Sequence, residues 1–218
     1  MSVAEPASGG GSATTSTNAA GVPTGNTYDK YGAANPVVRA LVDRFGRTVD
    51  GLLDLAAPRS VLDVGCGEGV LTQRWARRYA GAQVVGVDLD DAALRADWAA
   101  RHEDNLSFAV ADATALPFQD ASFDVVCAIE ALEHVSDPAA VLGQMRRCAS
   151  RAMVVSVPRE PLWRALNVAR GVYWRELGNT PGHLNHWSRR SFITLLEGYG
   201  EVAVVRSPLP WTMLLVRI

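Results

Sequence analysis

Three acids stand at comparable places in this chain, each within or at the end of a short apolar run. Asp63 lies in Val61-Leu62-Asp63-Val64-Gly65-Cys66-Gly67-Glu68-Gly69, Asp88 ends Val84-Val85-Gly86-Val87-Asp88, and Asp112 sits in Ala111-Asp112-Ala113. Glycines let a backbone adopt positive φ and approach a ligand closely. A carboxylate ending the second run can accept two hydrogen bonds from a ribose diol, as an acid about 20 residues past the glycine loop does in dinucleotide-binding folds. Asp112 can accept from an adenine amino group or close a turn.

The glycine spacing separates ligand classes. A dinucleotide fingerprint reads G-x-G-x-x-G and needs a third glycine at position 70, where this chain has Val70. Here the glycines fall as G-x-G-x-G, flanked by the carboxylates of Asp63 and Glu68 rather than by a phosphate-friendly surround. That argues against a nicotinamide oxidoreductase, and the missing Walker A lysine argues against an NTPase. S-adenosylmethionine, with its ammonium and sulfonium groups, suits an acidic mouth of this kind.

Histidines supply the candidates for proton transfer, because their pKa lies near neutrality. His134 follows the apolar run Phe123–Ala128, where it can serve as a base or as a structural histidine at a helix start. His183 and His186 lie in Gly182-His183-Leu184-Asn185-His186-Trp187. Their spacing of three could suggest a metal pair, yet no third ligand is evident, so no metal is expected. Cys66, Cys127 and Cys148 are dispersed and form no CxxC pair, which points to three reduced thiols. No close cysteine trio is available for an iron–sulfur cluster.

Apolar strands and helices alternate between these groups. Strands are predicted at Ser60–Val64, Gln83–Asp88, Leu106–Ala111, Phe123–Ala128 and Ala152–Val157, with helices between them. Asp137-Pro138 reads as an N-cap followed by N1, and Ser188 as the cap of a later helix. Several strands are apolar on both faces, as in a sheet covered by helices on each side. The regular alternation predicts a parallel, doubly wound sheet. The final pair, Glu201–Ser207 and Trp211–Arg217, has no intervening helix and must be antiparallel.

Val61–Gly69, Gly86-Val87-Asp88, Ala111-Asp112-Ala113, and Phe123-Asp124-Val125-Val126 through Leu132-Glu133-His134-Val135 resemble the successive motifs of class I S-adenosylmethionine-dependent methyltransferases. The likeness is greatest to the small-molecule branch that includes ubiquinone and menaquinone biosynthesis enzymes, and it covers roughly Ser60 to Ile218. It implies a Rossmann-like α/β fold with strand order 3-2-1-4-5-7-6, strand 7 antiparallel. It further implies that Asp63 and Gly65 hold the methionine moiety, Asp88 the ribose, and Asp112 with Ala113 the adenine. Cys66, Gly67, Leu89 and Ile129 join that cofactor set, and Tyr28 and Tyr31 resemble aromatics that cover the cofactor. The Asn/Asp-Pro-Pro-aromatic segment of amino-group methyltransferases is replaced here by Ala128-Ile129-Glu130-Ala131, which disfavours nucleobase or glutamine targets.

Composition agrees with these expectations. A length of 218 residues suits one α/β domain, expected over 27–218 with a lid-like insertion at 158–187. Residues 1–26, rich in Gly, Ser, Thr and Ala, are expected to form a disordered tail. A formal net charge of −2 gives no general attraction to nucleic acid or anionic membrane. No secretory signal or membrane-length apolar run is present, so a cytoplasmic setting is expected. The reading is therefore a small-molecule methyltransferase, with O-methylation ahead of C-methylation, and the catalytic candidates are His186, His134 and His183. The alternative is a non-catalytic S-adenosylmethionine-binding protein.

Overall fold

The computed structural model describes residues 16–17, 23–24, 36–169, 171, 173 and 176–218. Tyr28, Tyr31 and Trp174, together with most of the predicted tail, lie outside the described residues. Within the tail, Ser16–Thr17 pairs with Pro23–Thr24 as a two-residue antiparallel ladder.

The body begins with α1 (Pro36–Ala56), followed by β1 (Ser60–Val64), α2 (Val70–Arg78), β2 (Gln83–Asp88), α3 (Ala92–Ala99), β3 (Leu106–Val110) and β4 (Phe123–Ile129). A 3-10 turn, Leu132–His134, leads to α4 (Pro138–Cys148) and β5 (Ala149–Pro158). Then come α5 (Leu162–Ala169), α6 (Arg189–Glu197), β6 (Glu201–Arg206) and β7 (Trp211–Arg217). The seven strands form one sheet in the order β3-β2-β1-β4-β5-β7-β6. β1 to β5 are parallel, and β7 runs antiparallel to both β5 and β6. The predicted fold and the reversed last strand are both present.

Alternating side chains explain why helices cover both faces. Leu62, Val85, Val126, Met153 and Leu214 pack on one face with Val141, Leu142, Met145, Phe192 and Leu196 of α4 and α6. Val61, Val84, Val125, Val154 and Leu215 pack on the other with Val49, Leu52, Leu53 and Trp75 of α1 and α2. The inner strands β1, β2, β4, β5 and β7 thus bury two apolar faces, as a doubly covered sheet permits, whereas the edge strands β3 and β6 are only partly buried. Caps fix where the helices start. Asp91 accepts from Ala93 and Leu94 N–H, Asp137 from Ala140 N–H, and Ser188 from Ser191 N–H, each cap worth about 1 kcal/mol.

β5 begins three residues earlier than its apolar pattern predicts. Ala149 is already extended at ψ 131°, so α4 passes into β5 with no connecting loop. Among the described residues, no helix is long and apolar enough to cross a membrane.

Candidate functional site

The site lies past the C-terminal ends of the parallel strands, where order reverses between β1 and β4 and such sheets leave a crevice. The chain leaves β1 through Gly65 (φ 73°), Gly67 (φ 53°) and Gly69 (φ 75°), each in the left-handed region that favours glycine. A Cβ on Gly65 would stand 2.7 Å from Ala131 Cβ, so the loop presses directly against the segment that follows β4. Gly65 and Cys66 N–H both donate to Val87 O, at 2.9 and 3.1 Å, tying the loop to β2.

Asp88 organises this turn. Its Oδ2 accepts from Gly67 N–H at 2.7 Å and its Oδ1 from Leu89 N–H at 2.8 Å. A carboxylate has about four acceptor positions, so both oxygens keep capacity for a diol. From outside, Trp98 Nε1–H donates to Gly67 O at 2.8 Å, and Arg101 Nε–H donates to Glu68 O. Trp98 also stacks on Phe108, with ring centres 5.4 Å apart. Trp98 and Arg101 were not singled out from the sequence, because their partners are loop carbonyls about 30 residues away.

The acids differ in electrostatics. Burial pushes the Asp63 carboxyl up to about 7, although Thr72 Oγ1–H donates to its Oδ2 at 2.7 Å. Burial also raises Asp88, against the opposing pull of the Gly67 and Leu89 N–H groups. Asp112 is exposed, and the Thr114 N–H and hydroxyl that donate to its Oδ1 hold it below the ordinary carboxylate range. One of its oxygens therefore closes the turn, the alternative role its sequence context allowed. Burial raises the Cys66 thiol well above its usual range, so no thiolate nucleophile is available there. This set of acceptors suits a ligand bearing cationic and hydroxyl groups and disfavours a phosphate.

On the opposite wall, β4 ends at buried Ile129 and Glu130 turns the chain at φ 57°. The Glu130 carboxylate accepts from Trp211 Nε1–H at 2.6 Å and from Ser156 Oγ–H at 3.0 Å. It thereby links the ends of β4, β5 and β7. Trp211 continues into an aromatic array, with ring centres 4.7 Å from Phe45 and 6.0 Å from Trp163.

His134 and His183 meet, whereas His186 turns elsewhere. The His134 and His183 rings are 4.9 Å apart at 80°, and the Trp163 ring centre lies 6.2 Å from that of His183. His134 Nδ1 is 3.0 Å from Gly182 O. Glu133, His134 and His183 bring their ligand-type atoms within 4.8 Å of one another. His186 is exposed, and its Nε2 lies 2.6 Å from Asn179 Oδ1. Described parts of the predicted insertion are tied to one another. Trp163 Nε1–H donates to Thr180 Oγ1 at 2.9 Å, Asn167 Nδ2–H to Gly178 O at 2.9 Å, and Arg159 bridges to Trp187.

Comparisons with known proteins place this arrangement. Residues 62–152 match the family described as a methyltransferase domain. The ubiquinone biosynthesis O-methyltransferase of Pseudomonas fluorescens (strain SBW25) is 30% identical over 168 residues, covering 70% of this chain and 71% of the relative. The enzyme of that name from Hahella chejuensis (strain KCTC 2396) is 43% identical over 94 residues. That match spans 42% of this chain and 39% of the relative, well under two thirds of its length. In fold, the chain is similar to magnesium protoporphyrin IX methyltransferase from Synechocystis PCC 6803 with bound SAH. The TM-score is 0.61 at 21% identity, covering 85% and 89% of the two chains. Four motifs at the ends of successive strands, the sheet order and a relative matched over most of both lengths converge, and the chain belongs to the class I S-adenosylmethionine-dependent methyltransferases.

Proposed function

We propose that this protein transfers the methyl group of S-adenosylmethionine to a hydroxyl oxygen of a small molecule, in the cytoplasm and without a nucleic-acid partner. The observation that carries this reading is a pair of facing walls, an acidic glycine loop and a histidine cluster, joined where Gly65 abuts Ala131. The O-methyltransferase relatives favour oxygen over carbon as the acceptor atom.

In this reading Asp63, Gly65, Cys66 and Gly67 line the methionine end of the cofactor. Asp88 accepts from the ribose hydroxyls, and Leu89, Asp112, Ala113 and Ile129 flank the adenine. The cofactor supplies the electrophilic methyl group, so the chain's own task is alignment, exclusion of water and management of one proton. The flap of residues 158–187 covers the acceptor, and Trp163 and Trp211 give it an apolar, planar wall. Proton removal falls to the histidines His134, His183 and His186. His134 leads among them: its Nδ1 lies 3.0 Å from Gly182 O, which can only accept, so that contact orients the ring and fixes its tautomer.

Transfer of label from methyl-labelled S-adenosylmethionine to a panel of phenols, diols and acidic carbon acceptors tests the reading. O-methylated product is expected, with His134→Ala slowing the maximal rate by about 10²-fold or more while cofactor affinity is kept. Cofactor binding without label transfer to any acceptor would favour the non-catalytic alternative.

A further inference from the structure

The peptides of the glycine loop are anchored one by one, and a side chain outside the loop decides one of them. Gly65 and Cys66 N–H donate to Val87 O, and Gly67 N–H donates to Asp88 Oδ2. Gly69 N–H closes back on Cys66 O at 3.0 Å, and Glu68 O is taken by Arg101 Nε–H. The peptide between Gly67 and Glu68 is held at its carbonyl by Trp98 Nε1–H at 2.8 Å. The Cys66 thiol, a weak donor, reaches the same oxygen only at 3.7 Å. Gly67 sits at φ 53°, and glycine passes between positive and negative φ at little cost. The backbone itself therefore offers little resistance to turning this peptide over.

We propose that Trp98 is a positioning residue for the cofactor: its indole N–H selects the orientation of the 67–68 peptide that receives the amino-acid end of S-adenosylmethionine. The proposal rests on the placement of that end against Gly65, Cys66 and Gly67 given above. The peptide is trans, so its N–H points away from Trp98 while its carbonyl points toward it. Reversal exchanges donor for acceptor at that point of the loop. The amino-acid end, which carries a carboxylate and an ammonium, distinguishes the two.

Trp98 is itself firmly placed. α3 buries Leu94 and Trp98, four apart on one helix face, and Asp91 caps its first turn. The Trp98 ring lies within 5° of parallel to Phe108, with centres 5.4 Å apart. Phe108 stands beside Gly86 in the β2–β3 register. Its ring fills the space that a Cβ on Gly86 or Gly69 would need, 2.7 and 2.5 Å from the nearest Phe108 atoms. Arg101, just past α3, also donates from Nη1–H to Gln73 Oε1 at 2.9 Å, which ties the same brace to α2. With Trp98 only 8% exposed, water competes poorly for its N–H.

Calorimetry on the full-length protein with two ligands tests the proposal. S-adenosylmethionine carries the amino-acid end, whereas 5′-methylthioadenosine keeps the adenosine and lacks that end. Trp98→Phe keeps a ring against Phe108 and removes the N–H. It should weaken S-adenosylmethionine about tenfold, the usual scale for a buried carbonyl left unpaired, and 5′-methylthioadenosine by less than about twofold. Asp88→Ala removes the contact to the ribose that both ligands share and should weaken both. If Trp98→Phe does not fold, replacing Trp98 with 3-benzothienylalanine, which has sulfur where the indole has N–H, makes the same comparison with the ring shape kept. Unchanged S-adenosylmethionine affinity overturns the role given to Trp98, and so does an equal loss for both ligands, which a merely structural brace would produce. Selective loss of S-adenosylmethionine, with Asp88→Ala binding both ligands normally, supports Trp98 and overturns the ribose assignment.

Discussion

The two walls of the crevice are held in different ways. On the cofactor wall, polar groups are fixed by backbone within one or two adjoining strands. Asp88 is gripped by the N–H groups of Gly67 and Leu89, and the loop's own N–H groups close on Val87 O. On the opposite wall, which the proposed function gives to the acceptor, the contacts cross the chain. His134 reaches Gly182, Glu130 reaches Trp211, and α5 is tied to the 178–180 segment through Asn167 and Trp163. A wall built on sheet register is most sensitive at glycines such as Gly65, where a Cβ has no room. A wall built from a flap can change its side chains while the sheet below stays intact. The arrangement allows one cofactor geometry to be kept while the acceptor pocket varies.

The sharpest way to break this contrast is at Gly65. Gly65→Val places a branched side chain at φ 73° and drives its Cβ into Ala131. Strain of about 1–3 kcal/mol adds to the clash, so cofactor affinity should fall by more than about 10²-fold and the melting temperature should drop. Calorimetry and thermal unfolding read both, and near-normal binding would show that the loop is not rigid. Asp88→Ala comes next. Loss of hydrogen bonds to a charged group should cost about 1.5–3 kcal/mol, or roughly 10- to 100-fold in cofactor affinity. Less than a twofold change would remove Asp88 from the ribose.

A subtler effect belongs to Asp63. Its folded pKa of about 7 lies above the ordinary 3.8, so the buried site favours the protonated acid, and this stabilisation is lost as pH rises between those values. A bound cation prefers the carboxylate and draws the proton off. Cofactor affinity should therefore rise with pH and level off above about 7, being roughly tenfold weaker at pH 6 than at pH 8. Asp63→Asn should flatten that profile, and a flat wild-type profile would refute the coupling. The smallest effect sharpens the opposite wall. Asn167→Ala removes two hydrogen bonds beneath α5 and should raise the acceptor KM several-fold, about 3- to 10-fold by the usual worth of such bonds. Cofactor affinity should not move; a parallel loss would mean the two walls are not independent.

The same contrast governs what could be read from the amino-acid order. The glycine loop, Asp63, Asp88 and the alternating strands are local patterns, and they appear where their spacing places them. His183 and His186 illustrate the opposite case. A spacing of three puts two side chains on one face only in a helix, and residues 182–187 are not helical. Their rings therefore part, His183 toward His134 and His186 toward Asn179. Glu133 lay inside a recognised motif, yet its contact with the 183–185 segment emerges only when that segment, about 50 residues later, folds against it. Glu130 gave no signal, since its partner Trp211 is 81 positions away. The early start of β5 was hidden as well, because no turn residue separates it from α4.

The strand that carries Trp211 also sets an order of assembly. β7 follows β6 in the chain, but it lies between β5 and β6 rather than at an edge. Until it arrives, β5 presents an open edge, and β6, already made, has nowhere to pair. The acceptor wall stays incomplete for the same interval, because Glu130 lacks the indole that holds its carboxylate. Pairing of β7 with β5 and β6 therefore closes the sheet and brings Trp211 to Glu130 in the same step.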